Sequence, residues 1–154
     1  MRLMATTALA VLLLSGAASA SAQTEAQSPA AFLAQNAAAA DVHVLPSGVQ
    51  YKVIKAGPQT SRHPTPQDYV KVAYEVALLN GKVVETTFAN PDPPTYQLKT
   101  LIPAWIDVVP LMQEGDEWML WAPPERAYGA RAVGPIPGGS VLVFRLKLVS
   151  ILGG

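Results

Sequence analysis

The sequence predicts an α+β fold: an antiparallel twisted β-sheet of about five strands around one short α-helix, with a short N-terminal helix in front of it. Three observations lead there. Val70, Val72, Tyr74, Val76 and Leu78 alternate with Lys71, Ala73, Glu75 and Ala77, and Phe144, Leu146 and Leu148 alternate with Arg145 and Lys147, the period of half-buried strands. Asn80-Gly81 stands directly behind the first of these runs, where a hairpin turn belongs. In the second half of the chain only residues 103–109 suit a helix, with Pro103 at its start and Pro110 to end it.

Taken in order, the chain opens like a secretory leader. Arg2 supplies the positive start, residues 8–14 are a short apolar run, and Ala18-Ser19-Ala20 and Ala20-Ser21-Ala22 both fit a small-x-small cleavage site. Residues 1–22 are therefore expected to be a signal peptide; a membrane span needs about 20 apolar residues, more than this run offers. Without cysteine there is no lipid attachment point. Export is expected, to a bacterial periplasm, with no stable membrane span after cleavage. Residues 23–44 are expected to be a linker with a short helix: Ser28 can cap it, Pro29 suits its first position, and the alanine-rich stretch 30–40 favours it. About a dozen residues are marginal as an isolated helix, so a tether is the plain expectation for this segment.

The remaining residues, 45–154, are expected to form one domain. Strands fall at 49–54 and 70–78. Asn80-Gly81 is expected to make a type I′ turn, because both its central positions need positive φ, and the partner strand follows at 82–88. Pro91, Pro93 and Pro94 force a loop before the helix at 103–109. Glu114-Gly115-Asp116 makes a turn into a strand at 117–122. Residues 123–139, rich in Pro and Gly, form a long ordered loop, and 141–152 close the sheet.

Composition narrows the chemistry. The 154 residues carry 11 basic and 11 acidic side chains, a net charge of zero, which gives no electrostatic footprint for nucleic acid. Absence of cysteine removes thiol chemistry and thiolate-bound metal. His43 and His63 are placed in loops, 20 residues apart, without the spacing of a metal site. The glycines of the 134–139 loop are interleaved with prolines, which lack the amide donors a phosphate needs. No Gly-x-Ser-x-Gly elbow occurs. No cofactor or metal is expected, and function is left to a shaped apolar surface.

A series of landmarks points to one family. Leu45-Pro46-Ser47-Gly48-Val49-Gln50-Tyr51, the 70–81 strand and turn, Leu101-Ile102-Pro103-Ala104-Trp105, Leu111-Met112-x-Glu114-Gly115, Ala127-Tyr128-Gly129, Gly134-Pro135-Ile136-Pro137 and Leu142-Val143-Phe144 follow one another in order. From Leu45 onward the chain resembles the FKBP-type peptidyl-prolyl cis-trans isomerases of secreted bacterial type. The resemblance implies an antiparallel sheet curled around one helix, with a pocket between them lined by Tyr74, Val84, Leu101, Ile102, Trp105, Tyr128, Ile136 and Phe144. Trp105 would be the floor under a proline ring. Tyr128 would offer its hydroxyl, and Ile102 its amide, to substrate carbonyls; Glu85 would stand at the family's acidic position. The implied partners are proline-containing polypeptide clients, with a macrolide-type compound as a further candidate ligand.

Each aromatic also has a plain explanation. Tyr74, Trp105 and Phe144 sit where any small sheet domain places its core. Tyr128 lies inside a Pro/Gly loop, where an aromatic has less reason to pack. The sequence also departs from the family. Val84-Glu85 replaces Phe-Asp, Glu75-Val76 replaces Thr-Gly, and Ala104 replaces the glycine at the helix start. The first departure implies reduced activity and leaves an alternative, a catalytically weak or inactive proline-segment binding module or holdase. Finally, Trp118, Leu120 and Ala122 share one face of the 117–122 strand and suit the core. Met119 and Trp121 share the other, where they either form a partner or client patch or are covered by the N-terminal helix through Phe32 and Leu33.

Overall fold

The computed structural model describes residues 27–58 and 62–153. In order it contains helix α1 (Pro29–Ala37), strands β1 (His43–Val44), β2 (Gln50–Lys55), β3 (Tyr69–Leu78), β4 (Val83–Thr86) and β5 (Thr95–Gln97), helix α2 (Pro103–Val108), and strands β6 (Glu117–Ala122) and β7 (Leu142–Leu152). The expected signal peptide, residues 1–22, lies outside the described residues.

All strands join one antiparallel sheet in the order β1-β2-β6-β7-β3-β4, with β5 also paired to β3. β7 is central: it runs against β3 from Tyr69↔Leu152 to Leu78↔Leu142 and against β6 from Glu117↔Lys147 to Ala122↔Leu142. Its alternation is the expected one, with Phe144, Leu146 and Leu148 buried and Arg145 and Lys147 exposed. Val70, Val72 and Val76 of β3 and Trp118, Leu120 and Ala122 of β6 join them on the inner face. α2 lies in that concavity and buries Ala104, Trp105 and Val108. Six residues cannot hold a helix alone in water, so α2 exists by virtue of this packing and of Pro103, whose fixed φ suits a first turn.

Several details differ from expectation. The sheet has seven strands because β1 and β5 are too short, at two and three residues, to show a period. The β3–β4 turn is not type I′. Gly81 has φ +84°, but Asn80 is not among the positive-φ residues. Gly81 N–H donates to Leu78 O and Leu78 N–H to Lys82 O, so the connection has three residues, Leu79, Asn80 and Gly81. A loop of that length uses a type I turn followed by one left-handed residue, a position made for glycine. α2 stops at Val108, and Pro110, instead of ending the helix, sits in a following 3₁₀ turn (Val109–Leu111), whose early positions need no amide donor. His43 belongs to β1 and stacks on Tyr51, 5.0 Å between ring centroids, rather than lying in a loop.

α1 begins as expected, with Ser28 Oγ accepting from Ala31 N–H and Pro29 at the first position, but it ends at Ala37, short of Ala40. It rests against the outer face of the sheet. Gln50, 3 % exposed, accepts from Asn36 Nδ2 and donates to Leu33 O, both at 2.8 Å, and Lys52 Nζ donates to Ala40 O. Gln50 is the register partner of Trp121, so the helix is anchored beside Trp121 and Met119, both of which are half-buried. Of the two readings of that face, cover by α1 fits these contacts. No helix among the described residues is long and apolar enough to cross a membrane.

Candidate functional site

The site is built where one edge of β3 is shared by two short strands. β4 pairs at Glu75–Ala77 and β5 at Tyr69–Lys71, leaving Tyr74 at the gap between them. Thr87 closes the gap: its Oγ1 accepts from Tyr74 N–H at 2.9 Å and its own N–H donates to Tyr74 O at 2.7 Å. Tyr74 points inward, its ring edge-on to Trp105 with centroids 5.3 Å apart and planes at 77°. Phe144 of β7 meets Trp105 in the same manner from another side, at 5.6 Å and 84°. Edge-to-face packing of this kind adds about 0.5–1.5 kcal/mol beyond area burial and fixes ring orientation. Trp105 is thereby held flat at the base of the concavity, 4 % exposed, its indole Nε1 buried with no hydrogen-bond partner among the described residues.

The opposite wall comes from the long loop between β6 and β7. Pro124–Arg126 form a 3₁₀ turn, and the loop is drawn together by Gly129 N–H donating to Pro124 O and Gly139 N–H to Gly129 O. Gly138 is required by this closure: a Cβ there would lie 2.2 Å from Ala130 O. Val133 and Ile136 exchange backbone hydrogen bonds, which folds the tip back and buries Ile136 to 6 %. Arg126 binds Asp107 of α2 through both ends of its guanidinium, Nε to Oδ2 at 2.9 Å and Nη2 to Oδ1 at 2.7 Å. The loop that carries Tyr128 is thus tied to the helix that carries Trp105.

Between these walls lies a cavity of about 350 Å³. Tyr74, Val84, Glu85, Leu101, Ile102, Trp105, Tyr128, Ile136 and Phe144, the nine residues singled out from the sequence, all line it. Five more line it that the sequence did not single out as site residues: Val76, Tyr96, Val133, Gly134 and Pro135. Two hydrogen-bond donors at the cavity have no partner among the described residues, the hydroxyl of Tyr128, which is 38 % exposed, and the amide of Ile102, the N-cap residue of α2.

One wall carries three polar side chains. Tyr74, Tyr96 and Glu85 line it side by side. Burial first, then the Tyr96 and Glu85 contacts, push the Tyr74 phenol above the ordinary tyrosine range. Glu85, at the family's acidic position, stands beside Tyr74 on this wall. The register explains this, since Glu85 pairs with Val76, two residues along β3 from Tyr74 on the same face. His63 lies away from the cavity, with Nδ1 against Met112 O and Nε2 against Gln113 Nε2. Among the described residues no three His, Cys, Asp or Glu side chains gather as a metal-binding group.

Comparison with known proteins places this arrangement. Residues 60–149 match the family model described as FKBP-type peptidyl-prolyl cis-trans isomerase, and residues 6–53 match the domain amino-terminal to it. The outer membrane protein MIP of Legionella longbeachae is 39 % identical over 122 residues, 79 % of this chain and 52 % of that protein. The probable FKBP-type peptidyl-prolyl cis-trans isomerase FkpA of Neisseria meningitidis is 40 % identical over 122 residues, 79 % of this chain and 44 % of that one. The crystal structure of FkpA from Escherichia coli superposes with a TM-score of 0.76 at 29 % identity, covering 81 % of this chain and 58 % of the other. The chain spans about half the length of the curated relatives it matches.

Proposed function

The chain belongs to the FKBP-type peptidyl-prolyl cis-trans isomerase family, and from that premise we propose that it catalyses cis-trans isomerisation of X-Pro bonds in exported proteins, in the periplasm of a bacterium. One observation carries the reading: an apolar cavity floored by Trp105, with the unpartnered donors of Tyr128 and Ile102 at its wall.

The chemistry asks for nothing more. Rotation about a peptide bond meets a barrier of about 18–20 kcal/mol because resonance gives the C–N bond double-bond character. At the twisted transition state that resonance and its charge separation are gone, so the state is less dependent on water than either planar isomer. A cavity walled by Tyr74, Trp105 and Phe144 takes the prolyl segment out of water and favours the twisted form. The Tyr128 hydroxyl and the Ile102 amide donate to carbonyls of the flanking peptide and hold it while the proline ring packs on Trp105. No acid, base or covalent intermediate takes part. The residue before proline is aliphatic or aromatic, packing on the apolar wall. Uncatalysed exchange takes tens to hundreds of seconds, so even modest lowering of the barrier matters to a folding chain.

A second reading rests on Val84. Where the family resemblance leads to expect an aromatic, the wall here is a half-buried valine, which leaves the cavity wider and the transition state less tightly held. On that reading the chain is a weakly catalytic or inactive module that holds proline segments. A protease-coupled isomerisation assay on a short Leu-Pro peptide decides between them. Acceleration by catalytic amounts of protein supports the isomerase. A folded protein that binds the peptide without accelerating exchange supports the binding module.

A further inference from the structure

Resting on the proline-segment reading above, we propose that Phe88 and Arg145, neither of which lines the cavity, are positioning residues for the wall that β4 gives it. That wall consists of Val84 and Glu85, and the strand that carries them is held on one side only. β4 has four residues, ends the sheet order and meets β3 at three register positions, with an irregularity between Val76 and Ala77. Few contacts over a short length give low local stability, so the place of such a strand depends on what ties its two ends. One end is the Leu79–Gly81 turn. The other is Thr87-Phe88. Thr87 is bonded to the backbone of Tyr74 through its Oγ1 and its N–H. Phe88 is half-buried, and the guanidinium of Arg145 lies over its ring, 4.5 Å from the centroid.

Arg145 is itself aimed. Its Nε donates to Glu117 Oε1 of β6, and the Glu117 side chain is 12 % exposed. One guanidinium therefore joins β6, β7 and the chain leaving β4. A flat cation suits an aromatic face, which attracts it through the ring's negative π surface. Further along the same connection, Lys71 Nζ meets Asp92 Oδ1 at 2.6 Å and Val72 N–H donates to Pro94 O, which ties the chain to β3 before β5 begins. Arg145 belongs to the outward set of β7, and its neighbour Phe144 points inward onto Trp105. β7 thus serves the cavity from both faces: Phe144 steadies the floor, and Arg145 steadies the β4 wall from behind.

The test uses the whole protein and a Leu-Pro peptide. Arg145→Gln removes the cation and Phe88→Leu the aromatic face. Each should lower kcat/KM by about two- to fivefold, the size of one exposed cation–aromatic contact. Together they should lose no more than either alone, and Phe88→Tyr, which keeps the face, should keep the parent value. Two further signs separate positioning from a role in the fold alone. With Val84→Ala already in place, either loss should shrink to less than about 1.5-fold. In NMR spectra the Val84 methyl signals should move in both variants, while those of Val53 on β2 stay in place. Losses that add, losses that persist with Val84→Ala, or unmoved Val84 signals overturn the inference and leave the isomerase reading standing. If the parent binds the peptide without accelerating exchange, the isomerase reading falls, and the same series read in affinity decides the inference by the same criteria. If the parent neither binds the peptide nor turns it over, both fall.

Discussion

Asp107 and Arg126 form a bidentate ion pair between α2 and the β6–β7 loop, each two residues from a side chain that defines the cavity. Trp105 precedes the carboxylate by two positions; Tyr128 follows the guanidinium by two. Both partners are partly shielded, at 22 % and 32 % side-chain exposure, so the planar fork of arginine keeps its directional hold. The pair sets the distance between the aromatic floor and the hydroxyl at its rim.

If so, Arg126→Leu should lower kcat/KM for a Leu-Pro peptide by about five- to tenfold while the far-UV spectrum is unchanged. The discriminating measurement is a double-mutant cycle with Tyr128→Phe. With the hydroxyl already removed, Arg126→Leu should cost less than about twofold. Equal losses in both backgrounds would show that the ion pair serves only the fold. Arg126→Lys, which keeps the charge but not the fork, should fall between the two.

Trp105 carries stability as well as function. It is 4 % exposed and touches two aromatic rings edge-on, whereas Trp121 on the outer face is half-buried. Chemical denaturation should show Trp105→Ala destabilised by about 3 kcal/mol or more, and Trp121→Ala by roughly half that. Similar losses at the two sites would mean that α1 packs on Trp121 as tightly as the core packs on Trp105.

Restoring the aromatic wall should restore catalytic efficiency. Val84→Phe adds a few methylene equivalents of contact, roughly 1–2 kcal/mol at ~0.8 kcal/mol per buried CH₂. Together with Glu85→Asp it should raise kcat/KM on a Leu-Pro peptide by up to about tenfold. An unchanged or lower rate would show that the valine is not what limits turnover.

How far these features could be seen in the sequence depended on the range over which each is encoded. β7 and β3 were legible because inward and outward residues alternate over ten or so positions, long enough for a period to register. The inward set Trp118, Leu120 and Ala122 on β6 was legible for the same reason. β1 and β5 were not, since two or three residues carry no period, and Tyr96 was lost with β5; its one signal was a β-favouring Thr-Tyr pair behind Pro93-Pro94. Asn80-Gly81 marked a turn correctly, but the choice between a two- and a three-residue loop is made by the register of β3 on β4, which lies outside the dipeptide. Lining residues such as Trp105 and Tyr128 could be named from motif order, yet the Asp107–Arg126 tie spans 19 positions and the Glu85–Tyr74 contact crosses strands. Neither has a local signature.

Tyr74 makes alkaline stability a readout of the polar wall. Its phenol holds its proton more tightly in the folded protein than in the unfolded chain, where the pKa is about 10. A raised folded value means the folded state binds the proton preferentially. The resulting stabilisation is complete below about pH 10 and is lost as pH climbs from there toward the folded pKa. The denaturant midpoint should therefore hold up to about pH 10 and fall as pH rises beyond it, and Tyr74→Phe should flatten part of that fall. A variant with the same slope as the parent would place the titration elsewhere.

The most direct measurement is an NMR titration of the protein with a Leu-Pro peptide that follows the three tryptophan indole resonances and the peptide's own cis-trans exchange together. The Trp105 indole should shift on binding while Trp121 stays in place, and exchange between the two peptide isomers should quicken in proportion to the bound fraction. A quickened exchange with Trp105 unmoved, or a shift at Trp121 alone, would put the prolyl site somewhere other than the cavity between Trp105 and Tyr128.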